Sequence, residues 1–419
     1  MARRILLVGA NGFIGRHLLR ALSADGHSLV ATSRSGAGPQ LPGVVWQPLD
    51  LERLAEKPEH FPWPDGIDLV INAAGVLDSD LARQARVQAD GACALFDLAA
   101  RHGAAVLQLS ALGAGEAGGL PFLASKARAD EHLLALGIPA VVLRPSLVLG
   151  EGGASSAWLE RLAALPLAPL LDTRARSMPL HVDDLVGAVS ALLRHWPEQP
   201  GVLELVGPEA LTQGELLDRL RAHMGWTPAR YIQLPRPLAG IAARLHLLDP
   251  QLPALARQDN LGDAAPLERL CGHRPAALGQ RLDSTWPQKA RAVNGWLHPL
   301  MLAALVLIWL GTALVCLGPG FDWGLRIMAE MGVSGLLATL AVVGGALLDA
   351  LLGIGLLLRR WRRHALLAQL GLMLAYTLLI SLLLPHYWAD PYAAVGKNLV
   401  LMVATLWVLW LEPSQRKTG

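Results

Sequence analysis

Short apolar runs alternate with longer amphipathic stretches from residue 4 to about residue 145. The apolar runs are RILLV, SLVAT, VVWQ, DLVIN, AVLQLS and AVVLR, and helical patterns such as DLARQARVQADGACALFDLAARH separate most of them. Strands that alternate with helices are typical of a parallel, doubly wound α/β sheet. The runs lack strict polar alternation, as expected when both faces of a sheet are covered. We therefore predict this sheet within a domain over residues 1–225.

A small α/β subdomain and linker are predicted over residues 226–290, on the substrate side of the sheet. Within them, PLAGIAARLHLLDPQLPALARQ at 237–258 is apolar with arginines on its flanks. This pattern predicts a helix buried in the subdomain, and a helix lying on a membrane surface is the alternative.

Four long apolar segments follow residue 296 and have almost no charged positions. They cover roughly 297–317, 334–358, 365–384 and 395–411. Each is near the length that crosses a bilayer, and a soluble bundle would need charged faces. We predict an all-α, four-helix transmembrane domain over residues 297–411.

The distribution of arginine and lysine predicts the orientation of these helices. The connection RRWRRH between the second and third spans is strongly basic, as are the tail with Arg416 and Lys417 and the segment with Lys289 and Arg291 before the first span. The other two loops, GPGFDWGLRIMAEMG and PHYWADPYAAVGKN, are poor in basic residues. The positive-inside rule places both termini in the cytoplasm and the protein in the inner (cytoplasmic) membrane.

Composition excludes several other classes of protein. Hydrophobic residues make up 53% and charged residues 17%, which is too apolar for an ordinary soluble protein. A net charge of +2 gives no argument for a nucleic-acid partner. The three cysteines lie far apart and indicate neither a disulfide framework nor a metal site. The opening MARRILLVGA is interpreted as a first strand, because its apolar run is short and no cleavage site follows.

Three glycines follow the first predicted strand and open a helix. Gly9, Gly12 and Gly15 have the spacing G-x-x-G-x-x-G. Missing side chains let the backbone approach a pyrophosphate, whose charge suits the N-terminus of a helix. A plain strand-to-helix turn is the alternative, but the βαβ context favours a Rossmann-like dinucleotide site.

The end of the second strand indicates which dinucleotide binds. An Asp or Glu at this position would bind the ribose 2′-hydroxyl of NAD. The sequence ATSRS instead has Ser33 and Arg34, and Arg34 can pair with a 2′-phosphate. We predict NADP(H), and a solvated surface arginine is the alternative.

Several motifs in order give the first 290 residues a family resemblance. They are GANGFIG, LDL at 49–51, NAAGV at 72–76, LSALGA at 109–114, SKARADEHLL at 125–134, LRPSLVLG at 143–150, HVDDLVGAV at 181–189 and ELVGPEALTQGELL at 204–217. Together they resemble an atypical or extended short-chain dehydrogenase/reductase, of the type called NAD-dependent epimerase/dehydratase-like. The chain is most similar to the branch with the nucleotide-binding accessory subunit of mitochondrial complex I.

The resemblance implies a role for Ser110 as the catalytic serine and for Lys126 as the lysine that holds the nicotinamide ribose. It also places the glycines at the pyrophosphate, Asp50 and Leu51 beside the adenine, and Pro145 beside the nicotinamide. With Ser33 and Arg34, the candidate cofactor residues are Gly9, Asn11, Gly12, Phe13, Ile14, Gly15, Ser33, Arg34, Asp50, Leu51, Ala73, Ala74, Gly75, Lys126 and Pro145. Ser110 closes a strand, so its hydroxyl lies at the carboxyl edge of the sheet, where ligands bind in open α/β folds.

Phe122 departs from the pattern of this family. The family has a tyrosine four residues before the lysine, and its hydroxyl exchanges a proton with the substrate oxygen. Phenylalanine cannot do so, and the four tyrosines of the chain all lie beyond residue 230. Either another acid acts, such as water held by Ser110 and Lys126, or Phe122 only packs and catalysis has been lost.

Asp349 lies inside the second predicted span, where a carboxylate normally faces the bundle interior. Tyr376 of the third span falls at comparable depth and is the predicted partner. A role in quinone or proton handling and a structural interhelical hydrogen bond are both open.

An interfacial belt with a polar cap is predicted at Trp388, Asp390, Pro391, Tyr392, Lys397 and Asn398. The HP at 298–299 and the WADPYAAVGKNL before the last span make this region similar to the DoxX-like membrane family.

Two functions follow from this sequence. The first is a membrane-anchored NADP(H)-dependent oxidoreductase that acts on a quinone or a lipid carbonyl. The second is a non-catalytic dinucleotide-binding redox sensor, or an accessory or assembly protein for a membrane complex. The predicted partners are the lipid bilayer and either a quinone or a membrane protein complex.

Overall fold

The computed structural model describes residues 2–115, 119–245, 249–281, 285–391, 393 and 395–412. The chain forms two compact units, Met1–Ala292 and Val293–Gly419. The further division of the first unit at residue 225 remains a prediction.

A seven-stranded parallel sheet organises the first unit, and the six strands predicted from the apolar runs all belong to it. The strands in chain order are β1 Arg4–Val8, β2 Ser28–Ser33, β3 Val44–Pro48, β4 Leu69–Asn72, β5 Ala105–Leu109, β6 Ala140–Pro145, β7 Val148–Leu149, β8 Leu167–Leu170, β9 Arg176–Ser177, β10 Leu180–His181, β11 Gly201–Leu205, β12 Leu211–Thr212 and β13 Arg230–Gln233. The order in the sheet is β11-β6-β5-β4-β1-β2-β3. The direction of winding reverses between β1 and β4, and ligands of open α/β sheets bind at such a point.

Helices cover both faces of this sheet, which confirms the doubly wound α/β class. In the first unit they are α1 Phe13–Ala24, α2 Leu51–Glu56, α3 Leu81–Ala85, α4 Gly91–Arg101, α5 Pro121–Ala135, α6 Ala154–Ala163, α7 Val182–Arg194, α8 Gln213–His223, α9 Arg236–Arg244, α10 Leu252–Leu255, α11 Ala265–Cys271 and α12 Leu278–Arg281. One buried layer contains Leu18 of α1 and Leu185 of α7, and the opposite layer contains Leu95 of α4 and Leu133 of α5. Side chains on both faces explain why the strands are apolar throughout.

Helix α9 corrects one prediction, because it is not buried in the subdomain. Of its nine residues, Ala239 alone is buried, whereas Leu238 and Ile241 are exposed. The apolar residues have helical spacing, but their face points outward. Periodicity shows that a helix has an apolar face, and it does not show what covers that face.

The second unit is helical, as predicted. It contains the main part of α13 Thr285–Leu317, followed by α14 Phe321–Glu330, α15 Gly335–Leu357, α16 Arg359–Leu383 and α17 Gly396–Leu411. Three helical segments, Gln288–Leu317, Gly335–Leu357 and Arg359–Leu383, are long and apolar enough to cross a membrane. Helix α17 has 16 residues and is shorter than these, so a fourth crossing remains a prediction.

Two predicted loops of this unit are helical. Phe321–Glu330 forms α14 within the first loop, and the basic connection is the beginning of α16, with Leu358 as its N-cap. Arginine is a good helix former. Arg362 also has partners in the folded unit: its Nε donates to Leu356 O at 2.8 Å and its Nη1 pairs with Glu412 at 3.0 Å.

Candidate functional site

The glycine loop between β1 and α1 has no room for side chains at two of its glycines. Gly9 has a φ of +78°, and a Cβ there would lie 2.9 Å from the backbone nitrogen of Ala74. A Cβ at Gly15 would lie 2.1 Å from the carbonyl oxygen of Gly9. Gly12 is the N-cap of α1 and has no side-chain cap. This tight, bare turn ahead of a helix fits a pyrophosphate group.

Three other residues of the loop face the protein. The Asn11 amide donates to Ala37 O at 2.9 Å and so ties the loop to the segment after β2. The Phe13 ring lies against Gly153, where a Cβ would come within 3.0 Å of it, and Ile14 packs against the core. Their contacts are those of residues that hold the loop in shape, and direct contact with a cofactor remains a prediction for all three.

The turn after β2 leaves Arg34 available to a ligand. Ser33 Oγ donates to Ala37 O at 2.9 Å and accepts from Ala37 N at 3.1 Å, which closes the turn. Arg34 is exposed and makes no hydrogen bond or ion pair within the described part of the chain. A guanidinium held on a closed turn can bind an additional phosphate.

Asp50 and Leu51 both have structural contacts. The Asp50 side chain accepts from Glu52 N at 3.0 Å and caps α2, and Leu51 is buried in the layer formed by α2 and α4. Their proximity to an adenine therefore remains a prediction.

The end of β4 meets helix α5 at Lys126. Asn72 holds the turn after β4, because its Oδ1 accepts from Ala74 N at 3.1 Å. The Lys126 ammonium donates to Ala74 O at 3.1 Å and to Leu109 O at 2.9 Å. A Cβ on the exposed Gly75 would lie 3.2 Å from the same ammonium. Ala73, Ala74 and Gly75 thus lie along the path from the glycine loop to Lys126.

Burial changes the acidity of Lys126. Its side chain is almost entirely removed from solvent, and this desolvation lowers the pKa to about 8, although the nearby Asp130 carboxylate acts in the opposite direction. The lysine can therefore change its charge near neutral pH.

A buried carboxylate lies directly behind Ser110. Ser110 Oγ donates to Asp130 Oδ2 at 2.7 Å, and Arg144 Nε donates to the same oxygen at 3.1 Å. Asp130 is completely buried, and its Oδ1 has no hydrogen-bond partner among the described residues. Burial raises the pKa of Asp130, against the opposing effects of Ser110, Arg144 and Lys126. Ser110 and Lys126 are thus brought together as predicted, with an acid between them that the sequence reading missed.

The position of Phe122 is held by glutamine side chains. Phe122 N donates to Gln251 Oε1 at 3.1 Å, and Phe122 O accepts from Ser125 Oγ at 2.9 Å. Ser125 in turn accepts from Gln88 Nε2 at 3.0 Å, and Gln88 belongs to a π-helical segment, Arg86–Asp90. Such segments are frequent at functional sites.

No tyrosine replaces the missing hydroxyl in the described part of this site. Tyr231 donates its hydroxyl to Asp218 and is occupied there. Pro145 closes β6 at the same edge of the sheet, and its carbonyl accepts from Leu112 N at 2.9 Å.

Sequence reasoning missed four residues of this site. Asp130 had a detectable signal, because it lies four positions after Lys126 and so on the same helix face. Arg144 precedes the noted Pro145, and Gln88 lies in a predicted helix. Gln251 had no signal, since it reaches Phe122 across a separation of 129 residues.

Asp349 and Tyr376 of the second unit do not form the predicted hydrogen bond with each other. Asp349 is buried on α15 and its Oδ1 has no hydrogen-bond partner among the described residues. The hydroxyl of Tyr376 on α16 lies 3.3 Å from the position of a Cβ on Gly345.

The predicted interfacial belt is partly connected to α16. Trp388 Nε1 donates to Ser381 Oγ at 2.9 Å, and Asn398 Nδ2 donates to Thr377 Oγ1 at 3.3 Å. These bonds tie both flanks of the loop to the end of α16. Tyr392 of the predicted belt lies outside the described residues.

The fold and the site define a dinucleotide-binding protein of the short-chain dehydrogenase/reductase type that carries a membrane domain. Residues 5–204 match the profile of the NAD dependent epimerase/dehydratase family, and residues 306–406 match that of the DoxX-like family. The chain belongs to the NAD dependent epimerase/dehydratase family, with a C-terminal DoxX-like domain, which confirms both resemblances.

Two curated relatives support this assignment. The chain is 31% identical over 246 residues to the ceramide reductase of Caulobacter vibrioides, a match that covers 56% of this chain and 74% of that protein. It is 26% identical over 250 residues to NADH dehydrogenase (ubiquinone) 1 alpha subcomplex subunit 9 of Arabidopsis thaliana mitochondria, covering 55% of this chain and 60% of that one.

Solved structures share the fold of the first unit. RMD of Pseudomonas aeruginosa, complexed with NADPH, is 19% identical with a TM-score of 0.51, and the match covers 70% of this chain and 99% of that one. The UDP-glucose 4-epimerase of Thermotoga maritima with UDP-glucose is 18% identical with a TM-score of 0.52, covering 69% and 99%. These likenesses show the fold of the first unit.

Proposed function

We propose that the protein is a membrane-anchored, NADP(H)-dependent reductase of a carbonyl group in a lipid. The observation that carries the proposal is the buried Lys126, which lies beside the turn after β4 and shares its helix with the acid behind Ser110. The relative named ceramide reductase favours a lipid substrate over a quinone.

The residues present fit a bound dinucleotide. Gly9 and Gly15 leave a cradle that a Cβ would fill, and Arg34 is available to a 2′-phosphate. When bound, the dinucleotide supplies the hydride for reduction. Lys126 would hold the ribose by its ammonium, which is the charged form below a pH of about 8.

The carbonyl oxygen of the substrate needs a proton that Phe122 cannot give. A protonated Asp130 would donate to Ser110 Oγ across the 2.7 Å contact, so that the hydroxyl hydrogen of Ser110 points to the substrate oxygen. One proton then passes from Asp130 to Ser110 as the hydrogen of Ser110 passes to the substrate. The remaining carboxylate is stabilised by Arg144, and solvent restores its proton.

The proposal includes the location of the enzyme. The protein would lie in the inner (cytoplasmic) membrane, with its N-terminal unit and C-terminus in the cytoplasm. The basic residues at the start of α16 and in the first two turns of α13 support this orientation. It would give the site access to cytoplasmic NADPH.

The test is turnover by the full-length protein in lipid nanodiscs. A ceramide that carries a ketone is added with NADPH, and a ubiquinone is added in a parallel sample. We expect the ketone to be reduced, with one alcohol found by mass spectrometry for each NADPH oxidised. Gly12→Val is the control and should lose both nucleotide binding and turnover. A protein that binds NADPH and oxidises it with neither compound contradicts the proposal.

A second function is favoured by Phe122 and by the similarity to the plant complex I subunit. In this function the dinucleotide is a structural ligand or redox signal, and the membrane unit docks a partner complex. Gly12→Val should then abolish recovery of the partner in a pull-down, whereas Phe122→Tyr changes nothing. Recovery that is unaffected by loss of the dinucleotide contradicts this function.

A further inference from the structure

An exposed apolar and basic surface surrounds α9 and lies outside the site described above. Leu238, Ile241 and Leu245 have exposed fractions of 51%, 49% and 63%. They are spaced three and four positions apart and therefore share one side of the helix. Ile232 on the preceding strand β13 is 52% exposed. We call these four residues, with Arg230, Arg236 and Arg244, the α9 patch.

The charge of the α9 patch has a single sign. Residues 230–245, RYIQLPRPLAGIAARL, contain three arginines and no acidic residue. All three arginines are exposed, and none pairs with an acidic side chain among the described residues. An amphipathic helix with large apolar side chains outward and basic residues at its ends is typical of helices that lie in a membrane interface.

The charge and apolar surface of the α9 patch favour an anionic bilayer over a second copy of the chain as its binding partner. A second copy of the chain would bring two sets of arginines together, and like charges facing each other across an interface weaken binding. An anionic bilayer can accept the apolar side chains and pair with the arginines at the same time. The protein is already held at a membrane by its second unit.

The segment that follows the patch is joined to the candidate site. Gln251 lies just before α10 and is buried. Its amide accepts from Phe122 N at 3.1 Å and donates to Asp78 O at 3.0 Å and Gln84 Oε1 at 2.9 Å. The chain therefore continues from the α9 patch to the start of the active-site helix α5.

We propose that the apolar face of α9 inserts into the interfacial layer of an anionic bilayer, and that the enzyme takes its lipid substrate from that layer. The second part rests on the proposed reductase function. The first part concerns the binding surface alone and is tested without substrate.

The first experiment measures the environment of α9 in the full-length protein. A spin label is attached at Ile241→Cys, with Cys93, Cys271 and Cys316 changed to Ser, in vesicles of phosphatidylcholine with phosphatidylglycerol. We expect the label to collide more with oxygen and less with a water-soluble nickel chelate than a label at the exposed control position Glu198→Cys. Equal access of the nickel chelate to both labels overturns the proposal. Protection of the Ile241→Cys label from both reagents also overturns it, because a protein then covers the patch.

The second experiment separates capture of the substrate from chemistry. The double variant Leu238→Glu, Ile241→Glu should raise the apparent KM for a ketone-bearing ceramide in these vesicles by about tenfold, since it removes two apolar anchors. Its kcat and its Kd for NADPH should match the wild type. Val202→Glu, at another exposed apolar position, should leave all three values unchanged. An unchanged KM in the double variant overturns the capture step, whereas a wild type without turnover contradicts the reductase function and leaves the spin-label result standing.

Discussion

Ser110 donates its hydroxyl hydrogen to Asp130 at 2.7 Å, and this carboxyl group is completely buried. Because the same contact serves in either direction, a protonated Asp130 can supply the hydrogen bond that keeps Ser110 as a donor. In the proposed reaction the pair would hold one proton beside the substrate oxygen, which a lone serine cannot do.

Replacement of Asp130 by Asn tests this store of a proton. Asp130→Asn keeps the size of the side chain and cannot release a proton, so kcat should fall about 10²- to 10⁴-fold, the usual contribution of general acid catalysis. Wild-type activity should fall as the pH rises through the raised pKa of Asp130, because the proton-donating form is lost, and this limb should be absent in Asp130→Asn. The pH profile of kcat is the measurement.

The control for Asp130→Asn is Glu160→Gln. Glu160 is another buried acid whose pKa is raised by burial, but it pairs with Arg291. Its replacement should leave the pH profile unchanged. A wild-type rate and profile in Asp130→Asn would show that Ser110 obtains its proton elsewhere.

Arg144→Gln should shift the fall of kcat with rising pH to higher pH. Arg144 stabilises the charged form of Asp130 and so opposes the effect of burial. Without this cation the pKa of Asp130 rises further, and activity should persist to higher pH than in the wild type. A limb that moves to lower pH contradicts the assignment of that limb to Asp130.

Lys126 predicts how NADPH affinity depends on pH. Burial lowers its pKa to about 8, so the ammonium that is proposed to hold the ribose is lost as the pH rises through this value. The Kd for NADPH, measured by fluorescence in nanodiscs, should therefore increase above about pH 8. Lys126→Met should bind more weakly at neutral pH, with a Kd that stays constant over the same range. Parallel pH curves for the two proteins would refute this role.

Arg34 predicts the choice between the two dinucleotides. Arg34→Ala should lose the charge-assisted contact with the 2′-phosphate, worth about 1.5–3 kcal/mol, and so weaken NADPH binding by about tenfold or more. The affinity for NADH should stay the same, because NADH has no 2′-phosphate. Titrations with both nucleotides give the ratio, and an equal loss for the two would show that Arg34 acts only through folding.

Replacement of Gln251 should lower the stability of the first unit. Gln251→Ala removes three hydrogen bonds and leaves Phe122 N without its partner, which should cost about 1–3 kcal/mol. Thermal unfolding should begin at a lower temperature than in the wild type. Gln258→Ala, at an exposed position nearby, is the matched control. Equal melting of the two variants would mean that this network contributes nothing measurable.

Local patterns predicted the sheet because its strands are apolar throughout and its glycines mark the turn after β1. The candidate roles of Ser110 and Lys126 came from the family resemblance and stay predictions, although sequence reasoning also placed Ser110 at the edge of the sheet. It could not find Gln251, which comes from a distant segment, nor show that the apolar face of α9 is exposed. Periodicity records which side chains share a face, whereas contacts between remote segments depend on the whole fold.

The start of α16 carries positive charge that nearby lipid phosphates could compensate. Arg359, Arg360 and Arg363 are exposed in the first turns of this helix, and there the unpaired backbone N–H groups repel positive charge. Of the four arginines, Arg362 has Glu412 as a counter-ion. Phospholipid phosphates are the nearest source of further negative charge for a helix end at a bilayer surface. In the proposed orientation the bilayer would therefore act as the missing capping residue of α16, a contribution that an uncharged detergent cannot make.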